Sequence, residues 1–327
     1  MNIVLSARLF DNPPPYISLA KLAYFALEGR HRIAISDESD PAFKAWLASR
    51  LEQDRHEWEF VLDSALLASA REPARLEIEI VPANLPSNWN SDPPQLQLAA
   101  AINALDKPIR VIVENGLNDR AFLLAMATNE HRSALEHAER SGFLEFSNGG
   151  GITTLLQIIV ASCSSRGSDS IRTHVLVDSD ALQPNAPSEQ SENVRSFCDS
   201  KLVWCHQLER RAIENYLPPD LLRGWAYAQN KPTAQQAFDA YISMSPDQRR
   251  HYNMKKGFKG DAARQGPTSG TLYGGLELSV ASALSDGFGT SIANLFTTCM
   301  VTEDHSRRDG SWDEINRITT DLIARLR

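Results

Sequence analysis

Short apolar runs alternate with amphipathic helical patterns through the middle of the chain. Strands that alternate with helices over short connections are typical of a parallel sheet covered by helices. We therefore predict an α/β core over residues 106–218, with a four-stranded parallel sheet flanked by helices. The predicted strands lie at residues 110–114, 144–146, 173–177 and 201–205, and the predicted helices at 119–132, 153–161 and 190–199.

The flanks of this core have different patterns. Residues 1–105 predict an N-terminal α/β appendage, and residues 219–327 predict a mainly helical region that ends in an amphipathic helix over residues 312–326. Prolines predict a linker within residues 82–94. In the appendage, strand-like runs lie at residues 3–5, 31–35 and 76–81, and helical patterns at 17–27 and 41–71.

Composition sets the broad class of the protein. The 327 residues are 42% hydrophobic and 23% charged, which excludes fibrous and wholly disordered classes. A membrane span needs about 18 consecutive apolar residues, and the chain has no such run. It also has no secretory signal pattern. We therefore expect a cytoplasmic protein without membrane contact. Since no Cys-x-x-Cys pair occurs, we expect reduced thiols at Cys163, Cys198, Cys205 and Cys299.

Carboxylates follow two of the predicted strands. Glu114 ends the first strand, and Asp178 and Asp180 follow the third. Active sites of open parallel sheets lie beyond the carboxyl ends of the strands, and an alternating Asp-x-Asp directs both carboxylates to one side. Mg²⁺ takes oxygen ligands, and two such ions about 4 Å apart can activate a water and stabilise the leaving oxygen of a phosphodiester. The alternative is that these acids are ordinary polar residues of loops.

Two later segments add charge to this edge of the sheet. Residues 208–218 place Glu214 at this edge and provide Arg210 and Arg211 for pairing with phosphate. The alternative is that this segment is the exposed, charged start of a helix. The net charge of the chain is −8, which argues against a surface coated with DNA but not against a local basic groove. Residues 249–259 are the best candidate for a phosphate-contacting patch, the alternative being a solvated helix end; their cations are Arg249, Arg250, Lys255, Lys256 and Lys259.

The order of these motifs resembles the TOPRIM domain, the metal-binding module of topoisomerases, primases and certain nucleases. The resemblance covers about residues 108–260. The segments 209–217 (ERRAIENYL) and 254–257 (MKKG) are most similar to the branch of overcoming-lysogenization-defect (OLD) nucleases and TOPRIM effectors of bacterial phage defence. The resemblance implies a TOPRIM-like sheet and a nuclease that requires Mg²⁺ or Mn²⁺, cleaves DNA or RNA, and acts in anti-phage or anti-plasmid defence.

The resemblance also implies roles for individual residues. Glu114, Asp178 and Asp180 would bind the metal, and Glu214 would be a further ligand or a carboxylate that supports the ligands. Lys255 or Lys256 would contact the scissile phosphate. The family pattern has an acid four residues after its glutamate. In this chain the fourth residue after Glu114 is Asn118, and the acid, Asp119, is the fifth. Either Asn118 or Asp119 fills that place, and we expect Asp119.

Other functions are compatible with the same motifs. One is nucleotidyl transfer of the primase type, although Gly149, Gly150 and Gly151 lack the lysine of a phosphate-binding Walker motif. Another is a non-catalytic or partner-activated subunit, in which residues 1–105 contact a partner ATPase or another defence protein. A homo-oligomer is a further expectation.

Overall fold

The structure, a computed structural model, describes residues 1–71, 76–261, 272–298 and 301–326. Over these residues it contains two four-stranded parallel sheets. The prediction of an α/β fold is thereby confirmed. The N-terminal appendage has a four-stranded sheet of its own. Three of its strands correspond to the strand-like runs at residues 3–5, 31–35 and 76–81, and the fourth, at residues 95–97, was not predicted.

The first sheet has the strand order β2-β1-β3-β4 and belongs to the N-terminal part of the chain. Its helices enclose a core in which Trp58 is fully buried. The elements are β1 (Asn2–Leu5), a 3₁₀-helix (Ala7–Asp11), α1 (Tyr16–Leu27), β2 (Arg32–Ile35), α2 (Pro41–Ala48), α3 (Glu52–Arg71), β3 (Glu77–Val81), β4 (Gln95–Gln97) and α4 (Leu98–Asp106).

The second sheet has the strand order β6-β5-β7-β8. Its two central strands, β5 and β7, are parallel neighbours with Ile112 opposite Val175. The elements are β5 (Ile109–Val113), α5 (Gly116–Met126), α6 (Asn129–Arg140), β6 (Leu144–Asn148), α7 (Ile152–Ser162), α8 (Ser168–Arg172), β7 (Thr173–Val177), α9 (Glu189–Ser200) and β8 (Trp204–Gln207).

The remainder of the chain is helical where the structure describes it, as predicted. It starts with a 3₁₀-helix (Ile213–Tyr216) and continues with α10 (Pro219–Ala228), α11 (Pro232–Ser243), α12 (Pro246–His251), α13 (Gly257–Asp261), α14 (Leu278–Ala283), a 3₁₀-helix (Ile292–Asn294), α15 (Leu295–Thr298), α16 (Glu303–Asp309) and α17 (Trp312–Leu326).

The alternation of side chains along β5 divides the core between the two faces of the second sheet. Val111 and Val113 pack against the helical layer that includes α5, α6 and α17. Ile112 packs on the opposite face against α7 and α9. Because both faces are buried, the strand is apolar almost throughout and only its end is free to carry polar chemistry.

Glu314 of α17 fastens the C-terminal helix to the second sheet. Its carboxylate accepts hydrogen bonds from Tyr216 Oη at 2.5 Å and from the backbone N–H of Glu209 at 2.8 Å, and it pairs with His206 Nε2 at 2.8 Å. These hydrogen bonds compensate the carboxylate for its burial. The C-terminal helix therefore holds the segment between β8 and Tyr216, which borders the site described below.

Three sequence predictions differ from the structure. The helix predicted at 119–132 is two helices, because Ala127 has an extended ψ of 150° and Thr128 caps α6. The last strand begins at Trp204 instead of residue 201, after Leu202 in a left-handed conformation with φ of 55°. Residues 82–94 connect the paired strands β3 and β4 of one sheet, so the prolines mark an irregular loop within that sheet.

Two expectations from composition concern the whole chain. No helix in the described ranges is both long and apolar enough to cross a membrane. Cys163, Cys198 and Cys205 are free thiols, as expected, and Cys299 lies outside the described residues.

Candidate functional site

The site lies at the carboxyl ends of β5 and β7. Because these strands are adjacent and parallel, the residues that follow them, Glu114 and Asp178, are neighbours. The backbone N–H of Asp178 donates a hydrogen bond to Glu114 Oε1 at 3.3 Å. The first two acids predicted from the sequence are therefore brought together by the pairing of the two central strands.

Asp119 completes the turn after β5. The side chain of Asn115 accepts hydrogen bonds from the N–H groups of Leu117 and Asn118, which starts α5. Asp119 lies in the first turn of that helix, is 7% exposed, and accepts a hydrogen bond from the N–H of Asn115 at 2.9 Å. The helix cap turns Asp119 back toward Glu114, so the acid expected from the sequence at this place lies beside Glu114.

Asp178 and Asp180 line one cavity next to these two acids, but not for the reason inferred from the sequence. The strand ends at Val177, and Asp180 has a φ of 49°, so strand alternation does not extend to it. Its N–H donates to the carbonyl of Arg211 at 2.8 Å, which bends the loop over the segment after β8. Both aspartates line a cavity of about 180 Å³.

Glu214 and Lys255 form an ion pair in this cavity. Glu214 lies in the 3₁₀-helix after β8 and is 1% exposed. Lys255 Nζ lies 3.0 Å from Glu214 Oε1, but neither carboxylate oxygen of Glu214 accepts a hydrogen bond of regular geometry from the part of the chain that the structure describes. A buried carboxylate oxygen without a donor is energetically costly, so the site is short of positive charge or donors.

The protonation equilibria show the same deficit of positive charge. Burial, together with the charges of Asp180 and Asp119, raises the pKa of Glu114 to about 7. Burial also raises the pKa of Asp119 to about 6 and, with the charge of Glu114, raises that of Asp178 well above its ordinary value. Burial lowers the pKa of Lys255, but the charges of Asp178 and Glu214 outweigh this effect and the net shift is upward.

The chemistry of these residues fits a hard divalent cation, but their geometry is not that of a preformed metal centre. Within the described ranges, no three His, Cys, Asp or Glu side chains are grouped so that they could hold one ion. The carboxylates are oxygen donors of the kind that Mg²⁺ and Mn²⁺ prefer. A bound cation would relieve the repulsion among these carboxylates. In the structure, the ammonium group of Lys255 relieves part of that repulsion.

Arg210 and Arg211 are held inside the protein, in contrast to the predicted phosphate contacts. Arg210 is 6% exposed, and its guanidinium donates to the carbonyl of Asn215 at 2.8 Å and to Asp309 Oδ2 at 3.1 Å. Arg211 forms a bidentate pair with Asp261, at 2.7 and 2.6 Å. Both guanidinium groups therefore bind partners within the protein and connect the segments around the site.

The predicted basic patch at 249–259 is dispersed. Arg249 donates to the carbonyl of Met244 at 2.6 Å, and Arg250 donates to the carbonyl of Asp309 at 3.1 Å. Lys259 pairs with Asp286 at 2.7 Å on the surface. Of these five cations, only Lys255 and Lys256 line the cavity of Asp178, Asp180 and Glu214. Lys256 is exposed at the rim of this cavity.

Asp261 was not predicted from the sequence. It is 2% exposed and holds both Arg211 and the side-chain amide of Asn253, the latter at 3.0 Å. Its partner Arg211 is 50 residues away, and no local pattern distinguishes it from a surface aspartate. A long-range contact of this kind becomes visible only in the folded chain.

The three glycines after β6 have a structural role. Gly149 donates a hydrogen bond to the carbonyl of Val113 at 2.6 Å, and a Cβ on Gly149 would lie 2.8 Å from that oxygen. Gly150 and Gly151 have φ of 67° and 93°. The tight turn packs against the end of β5 and so helps to fix the backbone of Glu114.

Comparison of the chain with protein-family models, with curated proteins and with solved structures gives no match. The resemblance to the TOPRIM nucleases thus rests on the motifs given above and stays a prediction.

Proposed function

We propose that this protein is a metal-dependent nuclease that hydrolyses phosphodiester bonds of DNA or RNA. The observation that carries the proposal is the meeting of Glu114, Asp119, Asp178, Asp180 and Glu214 at the carboxyl edge of one parallel sheet. Buried acids that repel one another are costly for folding, and such groups concentrate at functional sites. Their clustering favours cation binding over an ordinary polar loop.

The residues of the site have distinct tasks in this proposal. Glu114, Asp178 and Asp180 would hold Mg²⁺ or Mn²⁺, with Asp119 and Glu214 beside them. The bound metal would supply electrostatic activation of water and neutralisation of charge on the phosphate. Lys256, exposed at the rim of the cavity, would pair with a phosphate oxygen of the substrate. Lys255 would stabilise negative charge that develops at the scissile phosphate.

The biological setting follows from the family resemblance alone. A nuclease similar to OLD-type enzymes and TOPRIM effectors would act in the bacterial cytoplasm against phage or plasmid nucleic acid. Residues 1–105 would contact a partner such as an ATPase.

Cleavage assays test the proposal. Purified protein would be incubated with plasmid DNA, linear DNA and tRNA in Mg²⁺, Mn²⁺ or EDTA. We expect cleavage of at least one substrate in Mn²⁺ or Mg²⁺ and none in EDTA. The variant Asp178→Asn, which keeps the size of the side chain, should lose at least about a hundredfold in rate, as is common when a group that stabilises the transition state is removed.

A surface variant provides the control for this assay. Glu130→Gln removes an exposed carboxylate in the first turn of α6 and should cleave as fast as the wild type. Cleavage that survives in EDTA, or that is equal in Asp178→Asn and the wild type, would rule out this site as the nuclease centre.

A second candidate is a partner-activated subunit with the same cavity. The observation in its favour is that Lys255 lies among the carboxylates and that no three-ligand group is formed among the described residues. A partner that moved Lys255 away would open the site to a metal. The wild type would then bind no divalent cation and cleave nothing by itself, whereas Lys255→Met would bind the cation.

A further inference from the structure

A groove runs along α3 on the surface of the N-terminal part. It consists of two adjoining cavities of about 520 and 400 Å³ that share Phe60 as a lining residue. Phe60 is 62% exposed, and Leu27 of α1, beside it in the first cavity, is 46% exposed. Exposed apolar side chains that adjoin one another mark interaction surfaces on proteins.

The residues of α3 that line this groove share one face of the helix, since they recur every three or four positions. The groove is acidic near the N-terminal end of α3 because of Glu52 and Glu57, whereas Arg71 lies near the C-terminal end of the helix. Large and small side chains lie between the two ends. In order, the groove residues of α3 on this face are Gln53, Glu57, Phe60, Ser64, Ala68 and Arg71.

We propose that the groove binds the same groove of a second copy of this chain, with the two α3 helices antiparallel. A two-fold axis beside Ser64 places Phe60 opposite Ala68 of the partner subunit. The same register places Glu57 opposite Arg71 of the partner subunit. The small side chain of Ser64 lies at the crossing point, where the two helices approach most closely.

The properties of the groove favour a second copy over an unrelated protein. A two-fold interface brings each patch against itself, so the patch must contain its own complement. Here the acidic end complements the basic end, and Phe60 complements the hollow lined by Ala65 and Ala68. A helix of 20 residues is about 30 Å long, so these pairs fit within one helix and are formed twice in a symmetric dimer.

Sedimentation velocity of the full chain over a wide concentration range tests the proposal. We expect a dimer for the wild type. Phe60→Glu should raise the dimer dissociation constant by at least about tenfold, because it places a charge at the centre of an apolar contact. Leu278→Glu is the matched control: Leu278 is 89% exposed on α14, outside the groove, and the variant should dimerise as the wild type does.

Charge reversal tests the register. Glu57→Arg and Arg71→Glu should each weaken the dimer, since each sets like charges opposite one another, and the double variant should restore it. Ser64→Cys should form an intersubunit disulfide with oxidised glutathione, whereas Leu278→Cys should not. A monomeric wild type would overturn the proposal, and so would a dimer that Phe60→Glu leaves intact. Failure of the double variant to restore the dimer would overturn the antiparallel register.

Discussion

Lys255 is the residue on which the electrostatics of the candidate site depend. Its ammonium group pairs with Glu214 at 3.0 Å and interacts with Asp178 and Asp119. In Lys255→Met we expect the unfolding free energy in EDTA to fall by about 1–3 kcal/mol, because a half-exposed cation is lost from a buried cluster of acids. We also expect Mn²⁺ to raise the melting temperature more than it does in the wild type. Thermal unfolding with EDTA and with Mn²⁺ measures both effects.

Lys256 is the matched control for this prediction, because it is adjacent in sequence but exposed at the rim. Lys256→Met should unfold like the wild type under both conditions. If Lys255→Met leaves the EDTA stability unchanged, Lys255 does not compensate the acids.

The raised pKa of Glu114 gives the metal-free protein a pH-dependent stability. Because its pKa is about 7 in the folded chain, above that of an unfolded carboxyl group, the folded state binds the proton more tightly. Its contribution to stability is present at low pH and is lost as the pH rises through 7. In EDTA, Glu114→Gln should therefore be more stable than the wild type by about 2–3 kcal/mol near pH 8 and about equal to it near pH 4.

Urea unfolding in EDTA at the two pH values measures this difference. The amide oxygen of glutamine can still accept the hydrogen bond from the N–H of Asp178. Glu130→Gln serves again as the exposed control and should show no such pH dependence. A Glu114→Gln variant that is less stable than the wild type at both pH values would contradict the prediction.

The residues of the site show what the sequence can and cannot reveal. Glu114 and Asp178 were predictable, because residues at the carboxyl ends of neighbouring parallel strands must meet. The buried pairs of Arg210 and Arg211 were not predictable, because a sequence does not show whether an arginine faces a substrate or a buried aspartate. Asp180 joined the site through a left-handed backbone conformation that the strand pattern does not encode.

At the scale of elements, the turn at Gly257 positions Lys255 and Lys256. Gly257 has a φ of 60°, and a Cβ there would lie 2.3 Å from the carbonyl oxygen of Leu284. Gly257→Ala should therefore lower the unfolding free energy by about 2–5 kcal/mol, because backbone strain and a steric clash add together.

A variant at Gly142 separates the effect of backbone strain from that of the steric clash. Gly142 has a similar φ of 74°, but no atom of the described residues lies within 4 Å of the place of its Cβ. Gly142→Ala should therefore cost about 1–2 kcal/mol from backbone strain alone. Equal losses in the two variants, measured by urea unfolding, would show that the clash at Gly257 is relieved by movement of its neighbours.

Elements with a strong hydrophobic period were predictable, and elements defined by backbone turns were not. The C-terminal helix and β7 were predicted at their observed positions, because apolar periodicity decides them. The break between α5 and α6 and the late start of β8 depend on the backbone at Thr128 and Leu202, which periodicity does not show. In residues 1–105, only the strand β4 was not predicted, because it is three residues long.

At the scale of the whole molecule, side chains join the two sheets. Arg30 of the N-terminal part lies with its guanidinium carbon 4.7 Å from the ring centre of Phe25 and 4.5 Å from that of Phe143, which precedes β6. Lys107 pairs with Asp169 at 2.8 Å. These contacts attach the end of α4 and the start of the second sheet to the N-terminal core, so the two halves are expected to unfold together.

Ile171 provides the test of this coupling. It belongs to α8 and precedes β7 by two residues, yet it is 4% exposed within the N-terminal core. Ile171→Ala should lower the unfolding free energy by about 2–5 kcal/mol. Hydrogen exchange should show that amides of β1 and β5 lose protection by the same factor, because both exchange through one global opening. Ile242→Ala, at a residue that is 37% exposed on α11, should change neither strand. Loss of protection confined to β1 would instead show that the N-terminal part opens alone, while the carboxylate site stays folded.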